Sequence, residues 1–74
     1  MMQEVEIKDT FIKLGQALKL AGLVESGIEA KLCIQDGLVQ VNGQVETQRG
    51  KKLVDGDKVH FEGNTFIIKA VTDF

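Results

Sequence analysis

The fold turns on residues 26–43, which read Ser26-Gly27-Ile28-Glu29-Ala30-Lys31-Leu32-Cys33-Ile34-Gln35-Asp36-Gly37-Leu38-Val39-Gln40-Val41-Asn42-Gly43. The first half has a helical period: Ala30, Cys33 and Ile34 share one face, and Ile28 and Leu32 a second. Ser26 and Glu29 have the spacing of a capping box. The serine oxygen accepts from the Glu29 amide, and the Glu29 carboxylate reaches back to the serine amide at the positive end of the helix dipole. Gly37 ends the helix. From Val39 the apolar period drops to two, so Val39-Gln40-Val41, Asn42-Gly43 and Gln44-Val45 form a hairpin with a type I′ turn. Two apolar faces predict a helix gripped between another helix and a sheet.

Toward the N-terminus, residues 4–8 alternate polar and apolar, as a half-buried strand does. Asp9 or Thr10 then caps a helix with Phe11, Leu14, Ala17, Leu18 and Ala21 on its apolar stripe, closed by Gly22. Leu23-Val24-Glu25 links the two helices as a tight pair. Toward the C-terminus, residues 47–52 form a polar, basic loop. Asp55-Gly56-Asp57 is a turn, and residues 58–62 and 65–69 are strands joined through Gly63-Asn64. The order is strand, helix, helix, then strands. It predicts an α+β fold, with two helices packed on a small, mostly antiparallel β-sheet.

The chain has 74 residues, with four Phe, no Trp, no Tyr and no Pro. It is expected to form one domain, 1–74, around one aliphatic core. No apolar run approaches the roughly 20 residues of a membrane span. The start, Met1-Met2-Gln3-Glu4, lacks the basic and apolar regions of a signal peptide. A soluble, cytoplasmic protein is expected.

Catalysis finds little footing. One Cys excludes an internal disulfide and a cysteine-based zinc site, and one His removes most triad and metal chemistry. His60 stands between Val59 and Phe61, so alternation turns it to the opposite face, toward solvent. Cys33 reads as a buried, inert thiol on an apolar face. Asp55 and Asp57 around Gly56 read as a turn rather than a metal loop. The glycines form neither GxGxxG nor a P-loop. No catalytic residue, metal or cofactor is expected, and the chain is not read as an enzyme.

The formal net charge is −2, but it is unevenly placed. Residues 1–9 and 55–74 each carry a net −2, whereas residues 10–54 carry +2. The local field governs an encounter, so an acidic total is compatible with a basic face. Lys13 lies at the start of helix one, Ser26 at the start of helix two and Lys31 one turn further in. Arg49, Lys51 and Lys52 crowd into four residues of the loop. Such cations, together with the amides of helix starts, suit phosphate oxygens. The lack of Tyr and Trp argues against a base-stacking platform.

The ordered set Lys13-Leu14-Gly15-Gln16-Ala17-Leu18, Ser26-Gly27, Ala30-Lys31-Leu32-Cys33-Ile34, Gly37, Val39 and Val41-Asn42-Gly43 resembles the alpha-L RNA-binding motif, the S-four domain first known in small-subunit ribosomal protein four. The continuation Val45-Glu46-Thr47-Gln48-Arg49-Gly50-Lys51-Lys52-Leu53, with Gly56-Asp57 and Val59, resembles its small stand-alone bacterial members. The resemblance covers roughly residues 10–62. It implies non-catalytic RNA binding through helix starts and the basic loop, with structured ribosomal or transfer RNA as partner and room for a protein partner in ribosome-related or RNA-processing work. The residues it points to are Lys13, Ser26, Lys31, Arg49, Lys51 and Lys52. Three positions depart from the pattern. Larger members have Arg-Leu-Asp at Lys13-Leu14-Gly15 and Ser-Arg at Ser26-Gly27, and Gln48 stands where stand-alone members often carry a cation.

Two rivals come from other classes. A protein-interaction module that has lost RNA binding would suit the acidic total. A ubiquitin-like sulfur carrier would share the Val-Asn-Gly hairpin and the Gly-Asp turn, but its chemistry needs a C-terminal Gly-Gly. This chain ends Ala70-Val71-Thr72-Asp73-Phe74.

If Ser26 caps helix two, Ser26→Ala removes the acceptor of an otherwise orphan amide. A loss of about 0.5–2 kcal/mol is expected, read as a lower denaturation midpoint.

Overall fold

The computed structural model describes residues 2–71. Met1 lies outside them, as do residues 72–74, the end of the tail weighed above against a sulfur carrier. The elements are β1 (Met2–Ile7), β2 (Ile12–Lys13), α1 (Leu14–Leu20), α2 (Gly27–Gln35), β3 (Val39–Val41), β4 (Gln44–Val45), β5 (Lys52–Leu53), β6 (Lys58–Phe61) and β7 (Asn64–Ala70). Five strands form one sheet in the order β1-β7-β6-β3-β4, and β2 and β5 form a separate ribbon. Only β1 and β7 pair in parallel; the other pairings are antiparallel. This is the α+β architecture read from the sequence.

The alternation of each strand sends one set of side chains inward. Val5, Ile7, Val39, Val41, Val59, Phe61, Phe66 and Ile68 are buried from the sheet, and Leu14, Ala17, Leu18, Ala30 and Ile34 meet them from the helices. Leu53, from the ribbon, is fully buried in the same core. No buried polar side chain interrupts this cluster among the described residues, so burial of aliphatic area is what holds the layers together. His60 faces the other way and is exposed, with its Nδ1 2.9 Å from Thr65 Oγ1 across the strand pair.

Both helices end as their glycines require. Gly22 and Gly37 each sit at φ +77°. The amides of Gly22 and Leu23 bond the carbonyls of Lys19 and Leu18, and those of Gly37 and Leu38 the carbonyls of Ile34 and Cys33. This paired arrangement satisfies carbonyls that would otherwise be orphaned. The first hairpin turns through Asn42 at φ +52° and Gly43 at φ +84°, the type I′ geometry. The second turns at Glu62-Gly63, one residue before the Gly63-Asn64 reading, so Asn64 begins β7.

Two expectations need correction. Helix one is not capped by Asp9 or Thr10 and does not contain Phe11. It starts at Leu14, with Lys13 at the cap position and no side-chain cap bond. Ile12 and Lys13 are instead drawn into the ribbon opposite Leu53 and Lys52, a pairing with a segment forty residues away. Helix two is not gripped on two sides. Ala30 and Ile34 are buried, but Ile28 and Leu32 are 73% and 55% exposed. Only the face with Ala30 and Ile34 joins the core, and helix one packs against this helix.

No helix among the described residues is long and apolar enough to cross a membrane. Asp55 and Asp57 form the expected turn. Asp57 Oδ2 accepts from the Val54 amide at 2.8 Å and Oδ1 from Asn42 Nδ2 at 3.0 Å. Asn42 Oδ1 in turn accepts from the Lys58 amide at 2.9 Å. Asp55 Oδ1 takes the Ala70 amide at 2.9 Å. One carboxylate therefore ties the first hairpin to the turn before β6. Asp57→Ala should cost about 1–2 kcal/mol, because two donors lose a charged acceptor near the surface. Urea denaturation of the variant checks it.

Candidate functional site

The start of helix one lacks a side-chain cap, yet its first amides are not orphaned. The amide of Leu14 bonds the carbonyl of Lys51 at 2.9 Å, and that of Gly15 bonds the carbonyl of Arg49 at 3.1 Å. The basic loop is thus a backbone cap for the helix, and its cations are held at the helix start by main-chain bonds. The loop is braced from its other end. Glu46 Oε2 accepts from the amides of Thr47 and Gln48, both at 3.2 Å, and the Lys51 amide bonds the Gln48 carbonyl.

Gly15 marks the point where three segments converge. A Cβ built on it would meet Arg49 Cβ at 3.7 Å and Ala30 Cβ at 3.9 Å. The result is a groove with Lys13, Gly15 and Gln16 on one wall, Gly27 on another and Arg49 and Gly50 on a third. Helix one, the start of helix two and the loop therefore meet as the sequence reading expects. A Cβ on Gly27 would find nothing within 4 Å, so that wall is open.

All six residues singled out in the sequence, Lys13, Ser26, Lys31, Arg49, Lys51 and Lys52, are exposed, but they do not form one cluster. Lys13 and Arg49 share the groove, with Ser26 beside Gly27 at its edge. Lys52 is directly opposite Lys13 in the ribbon register, and its Nζ stands 4.8 Å from the Phe11 ring centroid. Lys51 lines a different depression with Asn42, Glu46 and Asp57. Lys31 is on helix two, away from the groove lining. Among the described residues the one ion pair is Lys69 with Glu4 at 3.3 Å. None of the six therefore has a carboxylate of the described residues within salt-bridge distance. Two lysines facing each other on a two-residue ribbon repel, and an anion placed between them relieves that repulsion.

The helix amides contribute less than their positions suggest. Those of Leu14 and Gly15 are engaged by the loop, and that of Glu29 by Ser26 Oγ at 3.1 Å. The capping box itself is shifted by one residue on its return leg: Glu29 Oε2 meets the Glu25 amide at 3.5 Å, not that of Ser26. The carboxylate at the start of helix two already compensates its dipole. The cationic side chains that line the groove are those of Lys13 and Arg49.

Sequence reasoning missed Gln16, Gly50 and Phe11. The only signal for Gly50 is its place among the loop cations. Gln16 and Phe11 are placed by the late start of helix one, which no local pattern announces. Cys33 is half-buried and unpaired. Burial pushes its thiol pKa up, and the carboxylates of Glu29, Glu62 and Asp36 push it further in the same direction. No cluster of three potential metal ligands occurs among the described residues.

The family model described as S4 domain matches residues 5–69. "Putative RNA-binding protein YbcJ" of Escherichia coli is 41% identical over 63 residues, covering 85% of this chain and 90% of that protein. "Probable ribosome maturation protein RlbA" of Bacillus subtilis is also 41% identical over 63 residues, covering 85% of this chain and 89% of that protein. The solution structure of YbcJ from E. coli, described as revealing an alpha-L motif involved in RNA binding, superposes with a TM-score of 0.73. It is 38% identical and covers 95% of this chain and 90% of that one.

The raised thiol pKa has a direct consequence, because the thiolate is the reacting species. At pH 8, alkylation of Cys33 by iodoacetamide should run several-fold slower in the folded protein than in the urea-unfolded chain. Mass spectrometry of timed samples gives the two rates.

Proposed function

The chain belongs to the S4 domain family, and on that premise we propose that it is a non-catalytic RNA-binding module of the cytoplasm, acting as one domain over residues 1–74 and holding structured ribosomal or transfer RNA by its phosphates. The observation that carries this reading is the groove itself. Lys13 and Arg49 face it from a helix start and from the loop that caps that helix, and neither is neutralised by a carboxylate among the described residues. The guanidinium of Arg49 offers a planar fork suited to two phosphate oxygens, and Lys13 a point charge. Lys52, opposite Lys13, extends the positive field along the ribbon. The relatives' names agree with RNA as the partner, and one of them is named for ribosome maturation.

A second surface favours a protein partner alongside RNA. Ile28 and Leu32 lie one turn apart on helix two and are largely exposed, the spacing of an apolar stripe that packs against another chain. This suits a small RNA-binding protein that meets protein as well as RNA in ribosome-related or RNA-processing work.

Phosphate binding releases condensed counterions, so the logarithm of affinity falls linearly with the logarithm of salt. With Lys13, Lys31, Arg49, Lys51 and Lys52 as candidates and not all engaged together, a slope of roughly −2 to −4 is expected on a transfer-RNA transcript. Lys13→Ala with Arg49→Ala should weaken binding and flatten the slope by about 1 to 2. Lys58→Ala with Lys69→Ala, on strands β6 and β7 away from the groove, should do neither. Equal slopes in all three proteins would overturn the reading.

A further inference from the structure

A second cleft of the described molecule adjoins the groove at Lys13 and Arg49. It encloses about 580 Å³ between the end of β1, the segment after it and the outer side of helix one, within the roughly 300–1,000 Å³ range of sites that hold small molecules. Phe11, Ile12 and Leu20 give it an apolar lining. Phe11 is 38% and Leu20 58% exposed, so neither is needed to close the core. Gln16 lines this cleft and the phosphate groove alike. A second link runs through Lys52, whose ammonium stands over the Phe11 ring while its backbone faces Lys13 across the ribbon.

The charges on the rim decide what the cleft takes. Lys8 and Lys19 are balanced there by Glu6 and Asp9, and the one excess charge is the Lys52 ammonium over the Phe11 ring. An aromatic ring and a leucine in a cleft whose lining charges balance suit a flat, partly polar group, and the Lys52 ammonium at its edge suits the electron-rich edge of such a group. The groove next to it suits the charged group that such a unit carries. A nucleotide has these two parts at neighbouring positions. Bases are recognised where they are unstacked, in loops and bulges, by stacking on aromatic side chains and by hydrogen bonds to their edges.

We infer that the cleft at Phe11 receives an unstacked nucleobase of the RNA whose phosphates lie on Lys13 and Arg49, with Phe11 and Leu20 covering the base and the Gln16 amide at the junction bonding its edge. This rests on the phosphate reading above and adds to it a class of substrate: structured RNA with an unpaired base beside a helix. The primary amide of Gln16 both donates and accepts, so it can serve more than one base.

The test uses two RNA hairpins of equal length and charge, one fully paired and one with a single bulged 2-aminopurine. The wild-type chain should bind the bulged hairpin at least about fivefold more tightly, the lower end of what one stacked base contributes, and should change the fluorescence of the 2-aminopurine. Phe11→Ala, and separately Leu20→Ala, should bring the two affinities together while leaving the salt slope of the paired hairpin unchanged. Leu20 is exposed enough that its variant keeps the fold, which circular dichroism verifies. Equal affinity of the wild-type chain for both hairpins, or a preference that survives both substitutions, would overturn the base cleft and leave the phosphate reading standing. A wild-type chain that binds neither hairpin overturns both.

Discussion

Two main-chain hydrogen bonds, from the amides of Leu14 and Gly15 to the carbonyls of Lys51 and Arg49, hold the arrangement on which the site depends. A helix start leaves amides without partners, and those amides must find acceptors. In helix two a serine supplies one. In helix one no side chain does, and the loop after the first hairpin supplies its carbonyls instead. The same contact that completes the helix therefore fixes the loop, and with it the direction from which Arg49 enters the groove. Leu53, fully buried just beyond the loop, anchors the far end by ordinary apolar burial. Glu46, bonded to two loop amides, anchors the near end.

That fixation has an electrostatic side. A net charge of −2 would keep polyanions at a distance if it were spread evenly. The carboxylates are instead concentrated in the two terminal stretches of the chain, which β1 and β7 bring together as a parallel pair, with Glu4 and Lys69 in contact. Lys13, Arg49 and Lys52, none of them in an ion pair among the described residues, lie around the ribbon and the groove. Holding Lys13 and Lys52 in register costs repulsion, since like charges directly opposite destabilise a strand pair. The buried contacts of Leu14 and Leu53 beside them offset that cost.

Much of this was legible in the sequence, and the limits were set by range. The Ser26 cap on the Glu29 amide, the glycine that ends each helix, the Asn42-Gly43 turn and the alternation around His60 are all decided within a few residues, and the structure bears them out, whereas the return leg of the capping box reaches Glu25 and not Ser26. The start of helix one was not legible. Asp9 and Thr10 are good caps by composition, but residues 12 and 13 pair with 53 and 52, and that bond is invisible to any local window. Phe11 changed its role for the same reason, from a residue of the apolar stripe to a wall of an open cleft. The two faces of helix two were misjudged differently. Periodicity shows that Ile28 and Leu32 share a face, but not whether anything in the chain is present to cover it. The exposed cations were legible as a list. Their arrangement was not, because Lys51 and Arg49 are two residues apart and yet line different depressions.

The departures from the family pattern take on meaning once the groove is seen. Gly27 stands where larger members carry arginine, and the space above it is empty, so nothing steric excludes a long side chain there. Gly15, where larger members have aspartate, packs against Arg49 and Ala30 at ordinary contact distance. The two changes are coupled through charge. An aspartate at 15 would sit at the positive end of helix one and beside Arg49, drawing on the guanidinium that the proposed reading assigns to phosphate. With glycine there, Arg49 is left unpaired among the described residues. The chain thus gives up a cation on helix two and, by removing a competing carboxylate from helix one, keeps a single arginine free on the loop. Because that arginine's own carbonyl is the helix cap, its backbone is fixed before any ligand arrives, and the ordering cost on binding falls mainly on its side chain.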